Sequence, residues 1–171
     1  MNGENKDNPV VLYLTGGFGM SSFHLMPKYY PQFEKDFTVV YWEQRGSGKS
    51  NSDLISKESF TFYQLTSDIN EISIYLKEKF NKEKIILIGH SWGTSIGILA
   101  SMRYPENYYF FLGTGQVVNS EMNMIARYPL ILDQATKDQN QDAIQQINGL
   151  GKPPYSFLLS KYKRITANNI F

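Results

Sequence analysis

The chain has 171 residues, enough for one domain with a substantial core; at that size a globular chain buries roughly 70% of its unfolded surface. With 42% hydrophobic and 19% charged residues it is too apolar for a disordered chain, and 17 basic against 16 acidic residues leave +1, which argues against nucleic acid or a membrane surface as partner. The absence of cysteine removes disulfides, thiolate metal sites and a cysteine nucleophile together, and the histidines number two, His24 and His90.

The N-terminal stretch Met1–Asn8 is polar and has no apolar h-region, so no signal peptide is expected. No apolar run approaches the roughly 20 residues that span a bilayer. A cytoplasmic protein is the expectation. Val10–Leu14 is short, β-rich and unbroken, as a strand buried on both faces should be. A loop of small residues, Thr15–Ser22, follows it. A helix is predicted around Phe23–Glu34, interrupted or reshaped by Pro27 and Pro31. Phe37–Trp42 reads as a second buried strand that ends in the loop Glu43–Ser50.

Thr61-Phe-Tyr-Gln64 fits a capping box, in which the Thr61 hydroxyl and the Gln64 side chain each satisfy an orphan amide. The helix it opens places Leu65, Ile69, Ile72, Leu76 and Phe80 on one face. Lys84–Ile88 is a third buried strand, Trp92–Tyr104 a helix stopped by Pro105, and Tyr108–Leu112 a fourth strand. Strands alternating with helices predict an α/β fold with a mainly parallel sheet covered on both faces. After Gln116 the pattern becomes helical: Ser120–Ala135 and Asp138–Ile147 are predicted helices, Gly149–Pro154 a turn, and Tyr155–Ile165 the start of another helix.

Gly89-His90-Ser91-Trp92-Gly93 lies directly after a predicted strand and directly before a predicted helix. That is the G-x-S-x-G pattern in the strand–turn–helix setting that gives it meaning. Glycines two before and two after the serine suit a turn so tight that its central residue is strained. The Ser91 hydroxyl is then presented above the sheet, near the positive end of a helix. The amide of Trp92 is the expected first donor to an oxyanion. The second is expected from Gly16–Gly19, with Gly17 the choice and Phe18 the alternative.

Thr15–Ser22, Tyr41–Ser50 and Gly89–Thr94, in this order, resemble the proline iminopeptidase (prolyl aminopeptidase) family of α/β-hydrolases, whose pattern runs His-Gly-Gly-Pro-Gly, Asp-Gln-Arg-Gly-x-Gly-x-Ser, Gly-x-Ser-Trp-Gly. Phe62–Phe80, Arg103–Glu106 and Gly151–Tyr155 also look like family stretches. The resemblance implies an incomplete α/β-hydrolase fold, with residues 1–116 a partial core and 117–171 a partial helical cap. It implies a serine hydrolase that releases N-terminal residues, often proline, from small peptides through an acyl-enzyme. Ser91 matches the family nucleophile, and Gly17 and Trp92 match its oxyanion donors. Thr15, Phe18 and Glu43 depart from the family's histidine, proline and aspartate. The family's acidic triad member and histidine lie on later strands that this sequence does not match. A chain without them is expected to be a remnant or one half of a split hydrolase, and an esterase of the same fold is the other alternative.

His90 is expected to have a structural role in the elbow. His24, just past the oxyanion loop, is expected at the rim or in packing, with substitution for the missing base as its other reading. No metal or organic cofactor is implied. Gly48-Lys49-Ser50 resembles the end of a phosphate-binding loop, but position 43 is Glu rather than Gly. Gly17-Phe-Gly19 resembles a dinucleotide fingerprint whose third glycine is replaced by Ser22. The expected substrate is a small peptide or ester. Tyr108–Leu112 is expected as an uncovered sheet edge, which favours self-association or a complementing chain.

Overall fold

A computed structural model describes residues 7–17, 20–21 and 26–155. The chain divides into two compact units, Met1–Val117 and Val118–Phe171. The first carries four parallel strands, β1 (Val10–Leu14), β2 (Thr38–Trp42), β3 (Ile85–His90) and β4 (Tyr108–Thr114), in the spatial order β2-β1-β3-β4. All five β1 residues are buried, as the continuous apolar run predicts for a central parallel strand.

The short helices α1 (Met26–Tyr29) and α2 (Phe33–Asp36) connect β1 to β2, so the single helix expected over Phe23–Glu34 is two separate turns around Pro31. Residues 23–25 of that expectation, with His24, lie outside the described residues. Phe33 and Phe37 pack with Tyr41 against Val11, Tyr13, Val39, Ile86 and Ile88 on one sheet face. The opposite face receives α3 (Phe62–Phe80) and α4 (Trp92–Arg103). The Tyr108 hydroxyl meets Ser73 of α3 at 2.9 Å, and Gly97 of α4 lies against Leu14 and Phe111.

The cap of α3 is half the expected box. Thr61 Oγ1 accepts from the Gln64 amide (3.1 Å), but the Gln64 side chain donates to Asp68 (2.9 Å). The Thr61 amide instead donates to the Ser59 carbonyl. The buried stripe of α3 also turns slightly from the expected one. Leu65, Ile69 and Leu76 are buried, Ile72 and Phe80 are only half-buried, and Ser73 is fully buried. A hydroxyl tolerates that position because it donates to the Ile69 carbonyl and pairs with Tyr108. Asn81, in left-handed conformation (φ 49°), ends the helix by donating to the carbonyls of its last turn.

β3 and β4 each run two residues beyond the apolar stretches that announce them, which carries His90 and Thr114 into the sheet. Among the described residues β4 pairs with β3 alone, and Tyr109, Phe110 and Leu112 are 60%, 53% and 47% exposed. The second unit holds α5 (Ser120–Lys137) and α6 (Gln141–Leu150). Asn119 and Asn140 cap them through the amides of Met122 and Ala143. The Asn140 cap is why α6 starts three residues later than the expected Asp138. The helix expected at Tyr155–Ile165 lies almost wholly outside the described residues. Among those residues no helix is long and apolar enough to cross a membrane.

Candidate active site

The sheet order places a topological switch between β1 and β3. From β1 the chain turns to β2 on one side and reaches β3 on the other, with the connecting segments on opposite faces. A crevice opens outside the strand ends at such a point. Residues 15–17 leave β1 there, and Ser91 leaves β3 there.

Ser91 has φ 49° and ψ −113°, a backbone conformation that costs a non-glycine residue about 1–3 kcal/mol and persists because its neighbours enforce it. Its amide donates to the Thr114 carbonyl (2.9 Å), and its carbonyl accepts from the Thr94 amide (2.9 Å) and hydroxyl (2.6 Å). The flanking glycines are required by contact. A β-carbon on Gly89 would lie 2.5 Å from the Gly93 carbonyl oxygen, and one on Gly93 would lie 2.2 Å from that of Leu14. Helix and strand therefore touch main chain to main chain, and the serine between them is lifted to the rim of the crevice.

The loop after β1 abuts this serine. A β-carbon on Gly16 would stand 3.2 Å from Ser91 Cβ and 2.8 Å from His90 Cδ2. Gly17 follows with φ +74°, a region that glycine enters freely. Phe18 and Gly19 lie outside the described residues. Trp92 is the first residue of α4, so its amide has no intrahelical acceptor. Its indole is buried against Phe62.

Ser91 and His90 both line an open cavity of about 990 Å³, with Gly16, Gly17 and Thr114 beside them. His90 is exposed, and its Nδ1 shares a hydrogen bond with Thr114 Oγ1 (3.0 Å). The cavity continues over Tyr13, Ile88 and Leu112 to Tyr29, Tyr30 and Phe33, a largely apolar and aromatic wall. Burial pushes the Tyr13 phenol up from its ordinary range, and the nearby Tyr30 adds to the shift. These wall residues escaped the sequence reading because the α1–α2 segment carries no chemical motif. Among the described residues no group of three or more His, Asp or Glu side chains gathers to hold a metal ion.

The strand–elbow–helix junction and the parallel sheet define the class: the chain belongs to the alpha/beta hydrolase fold family, whose model matches residues 9–127. Within that class it is similar to the "Probable aminopeptidase YbaC" of Bacillus subtilis (strain 168), 32% identical over 155 residues, covering 91% of this chain and 49% of that protein. A proline iminopeptidase of Heyndrickxia coagulans is 28% identical over 103 residues, 60% of this chain and 33% of its own length. The chain thus spans about half the length, or less, of these curated relatives. Among solved structures, a proline iminopeptidase-related protein from Thermus thermophilus shares the fold with a TM-score of 0.59 at 19% identity, over 95% of this chain and 60% of that one. An epoxide hydrolase from Bacillus megaterium shares it with a TM-score of 0.54 at 20% identity, over 88% and 54%.

Proposed function

We propose that Ser91 is the nucleophile of a serine hydrolase of the aminopeptidase type, acting on small peptides in the cytoplasm. The observation that carries the reading is the meeting of two loops at the switch point, where Gly16 lies against a strained Ser91. The hydroxyl oxygen attacks the carbonyl carbon of the scissile bond while a base takes its proton. The carbonyl oxygen becomes an oxyanion between the amides of Gly17 and Trp92, in the field of the α4 N-terminus. Collapse expels the protonated amine and leaves an acyl ester on Ser91, which water hydrolyses with the same base.

The base is the part that the described residues do not supply with a partner. His90 is held by a hydroxyl, and among the described residues no hydrogen bond joins it to a carboxylate. We assign the base to a complementing segment that pairs along the open edge of β4, whose C-terminal residue Thr114 already touches both His90 and Ser91. Residues 117–171 are, in this reading, part of a helical cap. The aminopeptidase choice draws on the relatives' names, and an esterase is the rival on the same fold. A competition assay separates them. Proline p-nitroanilide is expected to slow modification of Ser91 by an alkyl fluorophosphonate, and hexanoate esters are expected to have little effect. Protection by the esters alone would replace the peptidase with an esterase.

A further inference from the structure

Tyr13 on β1, Tyr41 on β2 and Tyr108 on β4 turn their phenols into packed surroundings. Two of these hydroxyls are paired: Tyr41 donates to Glu34 Oε1 (2.9 Å), and Tyr108 meets Ser73 Oγ (2.9 Å). Tyr13 is 7% exposed, and its hydroxyl has no hydrogen-bond partner among the described residues. A buried phenol normally finds one. No fully buried side-chain nitrogen or oxygen of the described residues lacks a partner, so the unpaired Tyr13 oxygen belongs to the sliver of that side chain still open to solvent. That sliver faces the cavity that Tyr13 shares with Ser91. Burial pushes the Tyr13 pKa up, so the group is an uncharged phenol that can donate one hydrogen bond and accept another.

Of the other polar side chains on this wall, Thr15 donates to the Gly16 carbonyl, His90 and Thr114 hold each other, and Gln32 and Asp36 are exposed. Ile88, Leu112 and Phe33 complete an apolar lining. Tyr13 pairs in register with Ile88, three residues before Ser91 on β3. At about 3.3 Å per residue, that row lies about 10 Å below the serine, the reach of one aromatic side chain from a carbonyl carbon held at Ser91 Oγ. We propose that Tyr13 determines specificity: the cavity takes an aromatic side chain tipped by a hydroxyl, and the Tyr13 phenol bonds that tip, so an N-terminal tyrosyl residue is favoured over a phenylalanyl one. The inference rests on the reading of Ser91 as the nucleophile, because it names the residue whose carbonyl Ser91 attacks. The apolar wall receives either ring. The Tyr13 hydroxyl separates them, since against a phenylalanyl ring it gives up water and gains no partner.

The test titrates the ¹⁵N-labelled full chain with L-tyrosinamide and with L-phenylalaninamide, which differ by one hydroxyl, and reads binding from the backbone amides of Gly16 and Ile88. Tyrosinamide is expected to bind about tenfold more tightly, the worth of one hydrogen bond between uncharged groups. Tyr13→Phe breaks no hydrogen bond among the described residues, and it is expected to bring tyrosinamide down to the affinity of phenylalaninamide. In the wild type, nuclear Overhauser contacts are expected between the tyrosinamide ring and the Ile88 methyl groups; their absence overturns the inference whether or not the variant folds. Equal affinities in the wild type, a preference that survives Tyr13→Phe, or no binding of either amide overturns it as well. Binding of these amides does not use the reactivity of Ser91, so the two readings fail separately. A tyrosinamide preference in a chain whose Ser91 takes no fluorophosphonate supports the Tyr13 pocket and removes the nucleophile, whereas labelling without the preference removes the pocket and leaves the nucleophile.

Discussion

Gly93→Ala perturbs the contact on which the elbow is built. The added methyl carbon would lie 2.2 Å from Leu14 O, 2.7 Å from Leu14 C and 2.9 Å from Thr15 O. All three obstacles are main-chain atoms at the end of β1, so no side chain swings away to make room. Relief requires α4 to back off the sheet by about 1 Å, and overpacking of this kind costs about 1–3 kcal/mol. Alanine regains up to about 1 kcal/mol over glycine inside a helix, less in a first turn. The expected net loss is about 2 kcal/mol. With a urea slope of about 2 kcal/mol per molar, the midpoint should fall by about 1 M. Both tryptophans, Trp42 and Trp92, lie in the Met1–Val117 unit, so their fluorescence follows that unit alone. A midpoint that stays put or rises would refute the argument that Gly93 is fixed by backbone contact.

Gly149→Ala in α6 should act in the opposite sense, because a β-carbon there meets nothing within 4 Å; a gain of about 0.5–1 kcal/mol should appear as a higher melting temperature of the far-UV helical signal. Arg45→Lys should destabilise the first unit by about 1–2 kcal/mol in urea melts, since an ammonium cannot reproduce the two-pronged grip on the partly exposed Asp68. Burial pushes the Tyr108 phenol up to about 12, against the smaller downward pull of its bond to Ser73. The neutral phenol is favoured in the folded state, so its contribution is complete below pH 10 and is lost as pH rises from 10 to 12, at about 1.4 kcal/mol per unit. Tyr108→Phe should flatten that alkaline loss in stability measured by tryptophan fluorescence, without removing it, because burial raises Tyr41 and Tyr13 as well.

The strands and the strand–turn–helix junction at Ser91 were legible because their signals are local. A run such as Val10–Leu14 has one comfortable place in an α/β protein, and Gly89–Gly93 carries its steric requirement in its own spacing. The contacts that complete the site were not legible. The fully buried Ser73 hydroxyl pairs with Tyr108, 35 positions away, and no helical period reveals that. Gln64 turned from its capping role to Asp68, a residue whose place is set by Arg45 from another loop. Gln44 was visible only as part of a family pattern, and its bond to Trp92 spans 48 positions. The wall of Tyr29, Tyr30 and Phe33 likewise depends on how two short turns fold over the sheet.

The reading stands most squarely on the reactivity of one hydroxyl. Exposure of the folded chain to an alkyl fluorophosphonate, followed by intact mass measurement and peptide mapping, is predicted to show a single adduct on Ser91, slow to form without a complementing segment and absent from Ser91→Ala. A chain that stays unmodified at Ser91, or an adduct mapped to another residue, would contradict it.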